Sequence, residues 1–296
     1  MTATVAVLGP GGVGGTLAVR LALTGVRVIC VARPETVTAI AREGLTLECE
    51  GKALHARPDA VERLEEPVDL LIVAVKAFAL DDALERVDAA AVTNGVVLPL
   101  LNGLEHVDVI RERLGSRVAV GSIGRLEAYR RVATTIIQTT PLPVVSVASD
   151  TLAPDELAAP LDLLRAAGAE VRPLDSEKEV LWEKAARLAP LAAATALTQR
   201  PLGELRSDSD WQDRLQAAVA EACAVAAADG VDVSAAAQWE MIEAMPATLT
   251  TSTARDIAAG RPSELDAIVG GVARAGRRLG VPTPTLDDLF AQLEVA

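Results

Sequence analysis

Hydrophobic positions along the chain follow two regimes. Over the first 175 residues they gather into short runs of Val, Ile and Leu, each bounded by Gly, Pro or charge. Continuous runs of that length are expected of strands buried on both faces, as in a parallel sheet covered by helices. Such runs occupy residues 5–8, 26–32, 68–80 and 95–101. Shorter ones at 45–48 and 54–57 read as short strands or a hairpin around Glu50-Gly51, and those at 118–122, 134–138, 144–148 and 170–173 are expected to extend the sheet. Helical spacing lies between them. Leu17, Leu21 and Leu23 give an apolar face before Gly25 ends a helix, DDALERV follows residue 80, and a further helix is expected over 154–168. From Asp175 the strand pattern stops, and long Ala/Leu-rich stretches with helical spacing run over 176–197, 210–229, 234–244, 264–280 and 285–293. The fold class expected is therefore α/β plus all-α: a doubly wound sheet domain over residues 1–175 and a helical domain over 176–296.

Composition narrows the classes of function. A chain of 296 residues with 50% hydrophobic content has enough length and apolar mass for about two cores. No apolar run escapes Gly, Pro or charge long enough to span a membrane, and MTATVAVLGP enters the first strand without a basic leader, so a soluble, cytoplasmic protein is expected. Net charge of −13 with 2% aromatic residues lacks both the cations and the stacking surfaces of a nucleic-acid groove. Cys30, Cys49 and Cys223 are odd in number and widely spaced, which fits buried small hydrophobes better than disulfides or a metal site. His55 and His106 fall in no catalytic pattern.

Chemistry concentrates at the ends of the buried runs. The first run breaks into Gly9-Pro10-Gly11-Gly12-Val13-Gly14, a strand-turn-helix glycine motif between two buried strands. Gly9 is expected to make the tight turn, Gly11 to leave room for a pyrophosphate, and Gly14 to let helix and strand approach, with the phosphate on helix N–H groups. The first domain is thus expected to be a Rossmann-type dinucleotide-binding unit. Its second strand ends at Arg33, with no acid in the position that holds a ribose 2′-OH, which favours NADPH over NADH; a plain surface Arg is the alternative. The strand expected within 68–80 ends in Lys76 and the one over 95–101 ends in Asn102-Gly103, at the carboxyl ends where ligands collect in open parallel sheets. The only lysines are Lys52, Lys76, Lys178 and Lys184. Since Lys can exchange a proton on desolvation while Arg cannot, Lys184 in an apolar helix is a candidate acid; a pair with Glu179 or Glu183 on a solvated face is the other reading.

The ordered set GPGGVG, Arg33, VAVKA around Lys76, Asn102-Gly103, LWEKAA around Lys184, GELR at 203–206 and SELDAIVGGVARAGRRLGVPTP from Ser263 resembles the ketopantoate reductases (2-dehydropantoate 2-reductases) over nearly the whole chain. The resemblance implies NADPH-dependent reduction of a 2-keto acid, 2-dehydropantoate or a close analogue, in a cleft between the domains and without a metal. It implies Lys184 as general acid, Glu264 orienting substrate and cofactor ribose, and Ser252 holding the substrate carboxylate. Lys76 and Asn102 would contact the cofactor, with Asn102 also beside the substrate. Glu264 also suits the first turn of a helix opened by Ser263, and both roles are compatible. One departure is clear: where the family commonly has Asn on the face of the catalytic Lys, this chain has Leu188 and Ala192. A more apolar substrate, or a carboxylate held by Arg187, is the expectation that follows. A 3-hydroxyacid-dehydrogenase-like enzyme and a catalytically silent NADP sensor are the alternatives, and Ala-rich helices are compatible with a homodimer.

Overall fold

The computed structural model describes residues 3–140 and 143–295. Met1 and Thr2, which opened the expectation of a leaderless start, and Ala296, the expected end of the helical domain, lie outside the described residues.

The chain opens with β1 (Thr4–Leu8), α1 (Gly12–Leu23), β2 (Arg27–Val31), α2 (Pro34–Glu43), β3 (Leu45–Cys49), β4 (Lys52–Ala56) and β5 (Asp59–Val61). It continues through β6 (Leu70–Val73), α3 (Leu80–Leu84), β7 (Val96–Pro99), α4 (His106–Leu114), β8 (Val120–Gly124), β9 (Ala128–Val132), β10 (Thr135–Gln138), β11 (Val144–Ala148), α5 (Pro154–Ala166) and β12 (Glu170–Pro173). A parallel sheet in the order β5-β2-β1-β6-β7 forms the base of the first unit. Strands β1, β6 and β7 are buried at every position but Thr4, as expected of a parallel sheet covered on both faces. Register aligns their carboxyl ends, Leu8 with both Val31 and Val73, and Val73 with Pro99, so the glycine turn, Arg33 and Lys76 all follow one sheet edge. Two expectations need correction at this point. The run at 68–80 is strand only over Leu70–Val73, and Leu23 is 51% exposed, so the buried face of α1 is carried by Leu17, Ala18 and Leu21 instead.

A larger correction concerns the later strands. The run at 118–122 does reach the parallel sheet, Val118 bridging Val97 of β7 in parallel, but β4-β3-β10-β9 is a second sheet and β12-β11-β8 a third, each mixed in direction. Their burial alternates along the strand, as in β3, β10 and β11, which is the mark of a sheet covered on one face only. The hairpin at Glu50-Gly51 is present, with left-handed φ of 51° and 73°.

The helical unit contains α6 (Glu177–Thr198), α7 (Leu202–Ser207), α8 (Ser209–Ala228), α9 (Ala235–Glu243), α10 (Ser252–Ala258), α11 (Gly271–Leu279), preceded by one π-helical segment (Asp266–Gly270), and α12 (Pro284–Val295). Ala186, Ala189, Ala192, Ala193 and Ala194 of α6 are fully buried with Leu215, Ala218 and Ala222 of α8, small side chains that let helix backbones approach. By internal contacts the chain divides into Met1–Leu101 with His106–Val180, and Asn102–Glu105 with Leu181–Ala296. The division thus falls within α6 rather than at residue 175, and the segment after β7 that carries Asn102 groups with the helices. All three cysteines are buried and free; burial pushes the Cys30 thiol up to about 12 and Cys223 up to about 11.

Candidate active site

In the sheet unit, the turn after β1 is built by its glycines. Gly9 adopts φ of +87°, and its N–H donates to Val31 O at 3.1 Å, tying the turn to the end of β2. A Cβ on Gly14 would lie 2.3 Å from Gly9 O and 3.0 Å from Val7 Cγ1, so only glycine lets α1 lie this close to β1. At Gly11 a Cβ would meet nothing within 4 Å. Gly11 caps α1 without a side-chain bond, and no acid stands in the first turn. The first N–H groups of a helix have no intrahelical partner, and together with the open space at Gly11 they fit a pyrophosphate. Gly12 has another constraint: its Cβ would fall 2.2 Å from Ala128 O, so β9, a strand the sequence pattern does not reveal, lies directly against the turn.

Arg33 is exposed and forms the N-cap position of α2, its carbonyl accepting from Thr36 N at 2.9 Å and Val37 N at 3.0 Å. That places Arg33 just beyond the end of β2, where an adenosine ribose reaches in this type of unit. Lys76 is half-buried in extended backbone between β6 and a 3₁₀ turn at Ala77–Ala79.

In the helical unit, residues far apart in sequence are brought together. Asn102 Nδ2 donates to Glu264 Oε2 at 3.4 Å, and Glu264 is only 3% exposed. Three further contacts hold the short segment that carries Asn102. Gly103 takes φ of +94° with its Cα so close to Ala267 that a Cβ would stand 2.5 Å from Ala267 O. Leu104 packs into the helical core. Glu105 accepts a bidentate pair from Arg274 at 2.9 and 2.7 Å, and Arg274 also donates to Asp266 at 2.7 Å, so the two carboxylates raise the Arg274 guanidinium further above its ordinary pKa. The π-helical segment begins at Asp266, two residues after Glu264. A π-turn widens the backbone locally and often accompanies functional positions.

Lys184 is half-buried on α6. One turn on, Leu188 packs against the helical core, and Ala192 is fully buried within it, so the second of the two apolar replacements is a core position. Arg187 donates from Nη1 to Gln238 Oε1 and to Met241 Sδ, contacts that hold its guanidinium on α9. Ser252 is the first residue of α10, half-buried, next to the cap Thr251. Thr251 Oγ1 meets Thr195 Oγ1 at 2.9 Å, which joins the start of α10 to α6 about three turns beyond Lys184. The described contacts therefore unite Asn102 with Glu264, and α6 with the start of α10; none of them links Arg187 to Asn102 or Glu264. Among the described residues no helix is long and apolar enough to cross a membrane, and no group of His, Cys, Asp and Glu is arranged to hold a metal.

Comparison with known proteins gives consistent matches. A family model described as "Ketopantoate reductase PanE/ApbA" matches residues 5–146, and one described as "Ketopantoate reductase PanE/ApbA C terminal" matches residues 178–296. A 2-dehydropantoate 2-reductase of Mycobacterium tuberculosis is 30% identical, covering 100% of this chain and 98% of its own. An uncharacterized oxidoreductase of Bacillus subtilis, YkpB, is 25% identical over 98% of this chain and 97% of its own. Among solved structures, a PanE/ApbA family ketopantoate reductase from Ralstonia eutropha JMP134 is 30% identical with a TM-score of 0.86, covering 99% of this chain and 97% of that one. A D-mandelate dehydrogenase solved with NADH and anilino(oxo)acetate, 23% identical, shares the fold at a TM-score of 0.88 over 99% of this chain and 97% of that one.

Proposed function

The chain belongs to the ketopantoate reductase family, and from that premise we propose that it reduces a 2-keto acid to the 2-hydroxy acid with NADPH, the substrate being 2-dehydropantoate or a close analogue. The observation that carries the reading is the pair of built features described above: a glycine turn open at Gly11 and closed at Gly9 and Gly14, and a buried Glu264 met by Asn102. When bound, the nicotinamide nucleotide supplies the hydride. Everything else falls to this chain's residues.

In this reading the N–H groups at the start of α1, including those of Gly12 and Val13, hold the pyrophosphate, Arg33 meets the 2′-phosphate, and Lys76 contacts the cofactor beside the substrate. The Lys184 ammonium stands by the substrate's keto oxygen, stabilises the negative charge that develops there and gives up its proton to it. The Ser252 hydroxyl donates to the substrate carboxylate. Glu264, oriented by Asn102, accepts from hydroxyls of substrate and ribose. Arg187 is left out of the reaction, because Gln238 and Met241 already engage its guanidinium. Leu188 offers no hydrogen bond, so selection for a substrate hydroxyl rests on other groups, and 2-keto acids with apolar side chains become competitive substrates. The reading entails a cytoplasmic enzyme, and it is compatible with a homodimer.

The test is NADPH oxidation across a panel of 2-keto acids that includes 2-dehydropantoate and its deoxy analogue, run beside Lys184→Ala. The expected outcome is turnover in the native enzyme and about a 100-fold loss of kcat in the variant, equal to about 2.7 kcal/mol of transition-state stabilisation. An unchanged rate removes Lys184 from the chemistry. Binding of NADPH with no oxidation under any 2-keto acid favours a sensor, and strong preference for 2-dehydropantoate over the deoxy compound defeats the apolar-substrate reading.

A further inference from the structure

We infer that Arg130, on the unforeseen strand β9, is a second specificity-determining cation that works with Arg33 on the 2′-phosphate of the cofactor. The inference deepens the NADPH reading above and rests on it.

Register fixes the face. Ala128 is paired with Gln138 and Arg130 with Ile136. Ile136 faces α1, since a Cβ on Gly15 would stand 2.7 Å from its Cγ1, and Gln138 accepts from Arg20 of α1 at 3.0 Å. Ala128 and Arg130 therefore face the same side, and the carbonyl of Ala128 is in fact against Gly12 of the phosphate turn. Two residues on, Arg130 reaches across to α2, where its Nη1 lies 3.4 Å from Oγ1 of Thr36. Thr36 is in the first turn of α2, the turn opened by Arg33. One short strand thus runs from the phosphate turn toward α2, and brings a guanidinium to the helix turn that Arg33 opens.

Charge supports this. The neighbouring Arg131 is taken by Glu48 through a bidentate pair at 3.0 and 2.5 Å. Among the described residues neither Arg33 nor Arg130 is ion-paired to a carboxylate. In a chain of net charge −13, two guanidinium groups at one helix turn without counter-charge form a local exception. A guanidinium forks onto phosphate oxygens, and the bond to Thr36 is long enough to be exchanged for a charge-assisted one. NADH carries only a neutral 2′-hydroxyl at this position, which offers a guanidinium no charge to pair with.

Equilibrium titration of the full chain with NADPH, NADH and 2′,5′-ADP, at low ionic strength, tests the assignment in the native protein, Arg130→Gln and Arg130→Lys. For Arg130→Gln, NADPH and 2′,5′-ADP are expected to bind about tenfold or more weakly while NADH changes by less than about twofold. Arg130→Lys recovers part of the loss by keeping the charge. Arg130 is exposed on an edge strand, and melting temperatures check that both variants stay folded. Equal loss for NADPH and NADH, or unchanged NADPH affinity in Arg130→Gln, overturns the inference and leaves the NADPH reading standing. Native protein that binds NADH as tightly as NADPH overturns both.

Discussion

At the scale of single residues, the glycine turn separates what the fold needs from what a ligand needs. Gly14→Ala forces a methyl to 2.3 Å from Gly9 O, a backbone atom that cannot swing aside, so the variant is expected to lose about 1–3 kcal/mol of stability. Gly11→Ala meets no atom within 4 Å, and the φ of −83° there is not a left-handed one, so its stability should match that of the native protein within about 0.5 kcal/mol. Its nucleotide affinity should nevertheless fall, because the added methyl occupies the space a pyrophosphate takes. Thermal melts with parallel NADPH titrations read both effects, and Gly11→Ala with native affinity would mean that no phosphate approaches that Cα. These separate duties were legible in the motif's spacing. The duty of Gly12 was not, since its neighbour Ala128 belongs to a strand far along the chain. The same limit applied to Asn102 and Glu264: each was singled out by its own neighbours, but no local pattern shows that they meet.

Among elements, legibility followed burial. Strands β1, β6 and β7 are buried at every position but Thr4, so apolar residues fill the rest and the pattern was plain. In β9 the residues from Tyr129 to Val132 are exposed, and AYRRV gave no periodic signal. Short α7 and α10 were missed for a related reason, being too brief to show a helical repeat. The start of α6, the helix that carries Lys184, is fixed by polar contacts that no pattern announces. Glu177, 5% exposed, accepts from Arg111 at 2.5 Å and from Asp150 N at 2.9 Å, while its own N–H donates to Asp150 Oδ1 at 3.2 Å. Glu177→Ala removes the one oxygen, Oε1, that accepts both bonds and leaves a partly buried guanidinium without its carboxylate. The expected cost is about 3 kcal/mol in urea unfolding. A cost under about 1 kcal/mol would show that water replaces the carboxylate and that this contact does not fix the start of α6.

For the molecule as a whole, acidity decides the pH range of stability. Several carboxylates are held below their ordinary values in the folded chain. Glu43 is lowered by hydrogen bonds from Arg42 and then Thr134, and Glu66 by the Arg27 guanidinium. Glu156 is lowered by the Ala153 N–H and then Arg117, and Asp208, the cap of α8, by Arg200 and then the Trp211 N–H. A carboxyl with a depressed folded pKa binds fewer protons folded than unfolded, so its stabilisation is complete above the unfolded value and disappears as pH falls through the folded one. With ordinary values of 4.5 for Glu and 3.8 for Asp, the loss begins below about pH 5 and deepens below 4. A second effect opposes it. At neutral pH the 41 acids outnumber the 28 bases, and protonation relieves that mutual repulsion before it breaks the pairs. Salt separates the two, because added ions screen the diffuse repulsion and the exposed pairs but leave the backbone N–H bonds to Glu156 and Asp208 in place. Melting temperature is therefore expected to be level from pH 7 to about 5 and to fall steeply below 4, with the fall reduced but not abolished at high salt. A melting temperature that rises continuously down to pH 3 would mean that global repulsion outweighs the contacts of all four carboxylates.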